Sequence, residues 1–122
     1  MKITKPRNVP TSIPYTITID VDPPGLVPSG GSVGNFVYRP GLLHVAAGDS
    51  ITWKCQYPFT MVFKEGTPID QMEVVSSAIT GGGFSAGPFA VSNVKGMFHY
   101  AVAVWKGGSV LMDAACAGLS VN

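Results

Sequence analysis

The clearest structural signal in the chain is Met97-Phe-His-Tyr-Ala-Val-Ala-Val-Trp105. Phe98, Tyr100, Val102 and Val104 stand at every second position, and successive side chains of a β-strand point to opposite faces. The stretch therefore predicts a long strand with one face on a core. The following Lys106-Gly-Gly108 predicts a tight hairpin turn that brings the chain back along this strand.

The same two-residue period recurs along the chain and predicts an all-β protein. It is clear in Tyr15–Val21, Ser50–Cys55 and Phe59–Lys64. Shorter strands are predicted at Phe36–Arg39, Leu42–Val45, Phe89–Val91, Val110–Asp113 and Leu119–Val121. About eight short strands separated by turn residues are typical of an antiparallel β-sandwich or barrel. The predicted core consists of Ile17, Ile19, Leu43, Val45, Ile51, Trp53, Phe59, Met61, Phe63, Phe98, Tyr100, Val102, Leu119 and Val121.

Length and breaker residues limit the architecture. The 122 residues include 15 Gly and 10 Pro, and both residue types interrupt helices. A chain of this length supports one core, so residues 1–122 are predicted to form a single domain. Residues 1–14 precede the first regular alternation and are predicted to form an extended N-terminal arm.

One segment favours a short helix. Thr67-Pro68 resembles a helix start, since proline is tolerated at the first helical position. Ile69, Met72 and Val75 follow at a spacing of three residues. We therefore predict a single helical excursion of one or two turns at 67–78.

Composition excludes several classes of protein. Hydrophobic residues make up 46% and charged residues 12%, which excludes a disordered chain. The net charge of +1 offers no basic surface for nucleic acid. No apolar run approaches the ~20 residues of a membrane-spanning helix. No signal peptide is recognisable, so we expect a cytoplasmic protein; the alternative is a periplasmic or secreted protein whose signal peptide is absent from this chain.

Three stretches carry a family resemblance. Pro40–Trp53 fits the pattern P-x-x-L-x-V-x-x-G-D-x-I-x-W, Pro58–Phe63 is similar to P-H-x-V-x-F, and Gly96–Val102 is similar to G-x-Y-x-F-x-C. In this order and spacing they resemble the motifs of the cupredoxins, the fold family of the blue-copper proteins. The resemblance implies a Greek-key β-sandwich of the cupredoxin type.

The resemblance also places the copper-ligand positions, and the ligands themselves are missing. Type 1 copper is held by two histidines, a cysteine thiolate and a weak axial ligand such as methionine. Phe59 stands at the position of the first histidine and Val102 at that of the cysteine. The loop Trp105–Ser109 contains neither a histidine nor a methionine. The resemblance therefore implies a cupredoxin-like domain without a type 1 copper site, and we predict no cofactor.

The two cysteines have two interpretations. Cys55 and Cys116 lie far apart in the sequence, without the spacing of a zinc site. The residues alone leave open a pair of buried thiols or one long-range disulfide. Asp113–Val121 resembles the D-x-x-C-P-x-I-x-V tail of bacterial cupredoxin-like proteins, with Ala117 in place of the proline. That resemblance implies that the two cysteines pair.

Neither histidine stands in a recognisable catalytic motif. His44 and His99 have outward parity in their strands and are interpreted first as solvent-facing residues. The outward neighbours Ala101, Ala103 and Trp105 form an unusually apolar strip. Since aromatic residues favour interfaces, Trp105 and His99 are our interface candidates.

No enzyme motif accompanies these features. The chain has no nucleophile elbow, no paired-carboxylate motif and no phosphate-binding loop. We therefore predict a non-enzymatic binding or structural module that acts through an unknown protein partner or by self-association. The alternative is a copper-binding or redox protein with a non-standard site at His44, at His99 or at the pair Cys55 and Cys116.

Overall fold

A computed structural model describes residues 12–22, 35–113 and 117–122. Within these ranges the regular structure is entirely β, which confirms the predicted all-β class. The strands are β1 (Pro14–Asp22), β2 (Asn35–Arg39), β3 (Leu42–Val45), β4 (Ser50–Cys55), β5 (Phe59–Phe63), β6 (Glu73–Val75), β7 (Ser77–Ala78), β8 (Phe84–Ala90), β9 (Gly96–Lys106), β10 (Ser109–Met112) and β11 (Ala117–Val121). No helix capable of crossing a membrane is present in these ranges.

The first sheet has five strands in the order β2-β1-β4-β8-β7. It is mixed, because β1 and β4 run parallel while the other neighbours are antiparallel. Ile17 lies opposite Trp53 in the parallel pair. The predicted alternation of both strands therefore buries the two side chains on the same face of the sheet.

The second sheet has six strands, and β9 is its centre. The order is β3-β11-β9-β5-β6, with β10 also paired to β9. β10 and β11 lie against successive halves of the same edge of β9, and β5 lies along the other edge. The predicted hairpin is confirmed: Gly107 and Gly108 both have positive φ, as this two-residue turn requires.

The inward faces of the two sheets share one hydrophobic core. Trp53 of the first sheet is fully buried, with ring centroids 6.3 Å from Phe63 and 5.7 Å from Tyr100 of the second sheet. All predicted core residues are buried except Phe98, which is only partly buried. Phe98 lies where β9 extends beyond β5, beside the loop residue Gly66.

The predicted helical excursion at 67–78 is wrong, because this segment contains β6 and β7. Thr67 Oγ1 accepts a hydrogen bond from the backbone N–H of Ile69 at 3.1 Å, so the Thr67-Pro68 signal marks a local turn. Val74 is buried, whereas Met72 and Val75 are exposed. The three-residue spacing therefore described no helical face.

The strand β8 is longer than the predicted strand at 89–91, because an irregularity hides its alternation. The register with β4 shifts between Ile51 and Trp53, opposite Gly87. Gly87 has a φ of 116°, and a Cβ there would lie 2.7 Å from the carbonyl oxygen of Ile51. Only glycine fits this bulge, and it reverses the inward parity within the strand.

One further prediction concerns the start of the chain. Most of the predicted arm at 1–14 lies outside the described residues, and Pro14 already belongs to β1. Asp49 ties this start to the turn before β4. Its carboxylate accepts hydrogen bonds from the backbone N–H groups of Ala46 at 2.9 Å and Ile13 at 3.1 Å.

Candidate functional site

The outward side of the six-stranded sheet carries most of the exposed apolar side chains. We call this surface the apolar face. Its described strand residues are Leu42, His44, Thr60, Val62, Glu73, Val75, Met97, His99, Ala101, Ala103, Trp105, Val110, Met112, Gly118 and Ser120. Twelve large hydrophobic side chains are exposed among the described residues, and seven of them lie here.

The strand register joins these side chains into continuous rows. Thr60 lies opposite both Ala103 and Val75, and Met112 lies opposite Ala103 from the other side. This row crosses four strands and ends in two strongly exposed residues, with Val75 67% and Met112 54% exposed. This row therefore has small side chains along its centre and large ones at its two ends.

Trp105 lies at one end of the apolar face. It is 44% exposed, points outward as predicted, and lies opposite Val110 across the hairpin. Its backbone N–H donates to the carbonyl oxygen of Pro58 at 2.9 Å, so the strand remains held where the side chain projects. A large aromatic side chain on a fixed backbone loses little entropy on contact, which suits an interface.

Charge is sparse on this surface. Glu73 is the single carboxylate or ammonium group among the outward strand residues named above, and it lies on the short edge strand β6. Lys106 has the opposite parity, and its Nζ lies 5.1 Å from the centre of the Tyr57 ring. Water on the apolar face therefore has few polar groups to bind, so its displacement is favourable.

The two predicted histidines also lie on the apolar face, together with a methionine. His44 lies opposite Ser120, which in turn lies opposite Met97. His99 lies opposite Gly118, and a Cβ on that glycine would be 3.3 Å from His99 Nδ1 and 3.4 Å from Met97 Cε. The imidazole and the thioether thus both lie over Gly118. The sequence prediction missed Met97, although Met97 and His99 have the same parity in one strand; only the register of β11 brings His44 beside them.

The two positions that the resemblance aligns with copper ligands lie in the core. Phe59 and Val102 are inward residues of the neighbouring strands β5 and β9, in diagonal positions. Both are buried, and the backbone N–H of Phe59 donates to Ser76 Oγ at 2.8 Å. Neither side chain can coordinate a metal, and both pack among apolar neighbours.

The disulfide implied by the resemblance is not formed. Cys55 is a free thiol, buried at the end of β4, and Cys116 lies outside the described residues. Burial raises the pKa of the Cys55 thiol; the nearby charge of Asp20 also raises it, and hydrogen bonds from the backbone of Tyr57 and Gln56 act against the rise. The thiol is therefore protonated at neutral pH and is a weak nucleophile.

A polar group of side chains in the core was not predicted. Burial raises the pKa of Tyr100 to about 12; the nearby charge of Asp113 adds to the rise, and the neighbouring Trp53 indole lowers it. The Tyr100 hydroxyl and Trp53 Nε1 are buried and fall outside hydrogen-bond geometry with any described group. The Tyr38 hydroxyl donates to the Asp113 carboxylate. Since these four residues come from three strands and a loop, no local pattern in the sequence reveals them.

A groove of about 520 Å³ lies beside β9 where β5 ends, lined by Lys64–Gly66 and Met97–His99. The described part of the chain contains no cluster of three or more His, Cys, Asp or Glu residues that could hold a metal ion. The apolar face is therefore the most distinctive feature of the described surface. No protein-family model matches this chain, and a search of curated proteins found no match either.

Proposed function

We propose that this protein is a non-enzymatic binding module, of the cupredoxin-like Greek-key type, that recognises another protein through the apolar face. The fold part of the proposal is supported by the three motifs that resemble the cupredoxins. They coincide with β3–β4, β5 and β9, within two mixed sheets that each contain one parallel strand pair. The buried side chains of Phe59 and Val102 support a domain without type 1 copper.

The single observation that carries the binding function is the apolar face itself. Contiguous exposed apolar surface of this kind is unusual on a monomer and marks interaction sites. Its large residues lie on regular strands that are paired with their neighbours, so the surface is preformed. A preformed apolar surface binds without the entropy loss of ordering a flexible segment.

The proposal is tested by the binding of a neutral apolar dye, such as Nile red, to dilute protein. We expect the wild type to enhance dye fluorescence and Trp105→Glu to abolish most of that signal. Val37→Glu is the matched control, because Val37 is similarly exposed but lies on the other sheet. Absence of dye binding by dilute wild type, or an equal loss in the control, would contradict the proposal.

A second candidate function is the binding of a soft metal ion such as Cu(I). The specific observation in its favour is that His99 Nδ1 and Met97 lie together over Gly118, with His44 on the same face. Imidazole and thioether ligands suit Cu(I). Titration against a competing Cu(I) chelator tests it: the double variant of Met97→Leu and His99→Phe should lose one equivalent of binding, and equal uptake by variant and wild type would reject it.

A further inference from the structure

We propose that the partner that covers the apolar face is a second copy of this chain, in a two-fold symmetric dimer in which the two six-stranded sheets pack face to face. This inference rests on the proposed binding function and names the partner. In such an isologous interface the same patch serves both copies. The face must therefore be self-complementary in size, charge and shape.

The size of the face fits a dimer. The seven large side chains are between 38% and 67% exposed. Together they offer on the order of 700 Å² of surface, close to the ~800 Å² that each partner contributes to a standard interface. The half-buried Ala101, Ala103 and Thr60 lie between them and would be covered as well.

The charge of the face also permits self-association. Two identical surfaces bring identical charges together, and like charges in an interface oppose binding. Glu73 is the single carboxylate or ammonium group among the named residues of the apolar face, and it lies on the edge strand β6. The net charge of +1 adds almost no long-range repulsion between copies.

The shape of the apolar face allows the side chains of two copies to interdigitate. The small residues Ala101, Ala103 and Gly118 leave a shallow depression on β9 and β11. The side chain of Trp105, at the end of β9, projects from the surface. Packed sheets interdigitate large side chains of one layer with small ones of the other. The Trp105 side chain of each copy would accordingly fill the shallow depression around the partner's Ala101.

Edge-to-edge strand pairing, the other common route to self-association of β proteins, is disfavoured in this sheet. Pairing edge to edge requires a long exposed edge strand. In the described sheet, the strands paired on one side only are β3 and β10, with four residues each, and β6, with three. Face-to-face packing is therefore the route that this sheet favours.

The test is sedimentation equilibrium over a concentration series, with Trp105→Glu and Met112→Glu as face variants and Val37→Glu as the control. We expect the wild type and the control to reach twice the mass of one chain. Each face variant should weaken dimerisation by roughly 30-fold or more, the effect of losing an interface hot spot. Circular dichroism checks that each variant is folded, and two separate face variants keep the test valid if one of them unfolds.

The outcomes separate this inference from the function on which it rests. A wild type that stays monomeric at millimolar concentration but binds the apolar dye overturns the dimer and leaves the binding face standing. A monomer that binds no dye overturns both. A dimer that the control weakens as much as the face variants do also overturns the inference, because the contact would then lie elsewhere.

Discussion

The two sheets bury similar inward faces but present opposite outward faces. On the five-stranded sheet a row of polar side chains crosses all five strands; it consists of Arg39, Thr18, Lys54, Ser85 and Ser77. Asp20, in the next row, accepts a hydrogen bond from Arg39 Nε at 2.7 Å. The corresponding rows of the six-stranded sheet are mostly valine, alanine, methionine and tryptophan.

This difference distinguishes the inward residues, which the core requires, from the outward residues, which it does not require. Both sheets need alternate apolar residues on the inside, and each strand supplies them. The fold does not require apolar residues at the outward positions. On the five-stranded sheet these positions hold threonine, serine and lysine, which keep that surface hydrated. An apolar outer face exposes hydrophobic surface to water without helping the core, so it indicates a contact.

The two tryptophans give the strongest test of this comparison. Trp53→Ala should destabilise the protein by ~3–5 kcal/mol or prevent folding, because a fully buried ring leaves a cavity between the sheets. Trp105→Ala should change the stability of the dilute monomer by less than about 1 kcal/mol. Urea unfolding measures both, and similar losses for the two variants would show that Trp105 belongs to the core.

The bulge in β8 gives the next largest effect. Gly87→Ala should destabilise the five-stranded sheet by about 2–3 kcal/mol, because the new Cβ meets the Ile51 carbonyl oxygen at a positive φ. Gly81→Ala is the control, since Gly81 also has a positive φ but no atom within 4 Å of the Cβ position. Equal losses would mean that backbone strain alone, without the clash, explains the effect.

The variant Gly87→Ala also tests whether the outward faces of the two sheets are independent of each other. Apolar dye bound per folded molecule should be unchanged in Gly87→Ala, because β8 belongs to the other sheet. A change in dye binding would show that the two sheets do not behave independently at their outer surfaces.

The core between the two faces should give a pH dependence in alkali. Burial raises the pKa of Tyr100 to about 12 from the ordinary value near 10. Between these values the unfolded chain releases the proton that the folded chain keeps, so stability is lost as the pH rises. The loss attributable to Tyr100 should be on the order of 2 kcal/mol.

Unfolding by urea at a series of pH values measures this dependence, with Tyr100→Phe as the control. The variant should lose less stability than the wild type between pH ~10 and ~12. Parallel curves for the two proteins would show that the phenol hydroxyl ionises equally well in the folded state.

The smallest effect is expected on the polar outer face. Arg39→Ala removes the ion pair with Asp20. The Arg39 side chain is 68% exposed and the Asp20 side chain 48%. Such exposed pairs contribute between 0 and about 1 kcal/mol. Chemical unfolding at low and at high salt should therefore give nearly the same value for variant and wild type. A loss well above 1 kcal/mol would show that the polar row is a structural network.

Local alternation was sufficient to predict most of the strands that form the core. Ile17, Trp53, Met61 and Val102 are buried as their parity predicts, because a two-residue period is a property of the strand itself. Alternation failed at Gly87, where a bulge changes the parity, and at Val74, where a three-residue spacing of neighbours resembled a helix.

The candidate site was predictable only in part, because it depends on the order of the strands. Ala101, Ala103 and Trp105 share one strand, so the apolar strip is visible in the sequence. Their neighbours on β6 and β10 join them only through sheet pairing. The placement of Met97 and His99 over Gly118 likewise depends on β11, which no local pattern connects to β9.

The position of β11 has a consequence for how the chain folds as it is synthesised. β11 lies between β3 and β9, and in the described sheet it is the strand that joins β3 to the rest. The ribosome makes β11 after every other described strand, so β3 must wait for its partner through most of translation. Pairing over such sequence distances slows folding. Until β11 joins the sheet, the folding chain therefore leaves β3 without its partner, at the stage when premature association between chains is most damaging.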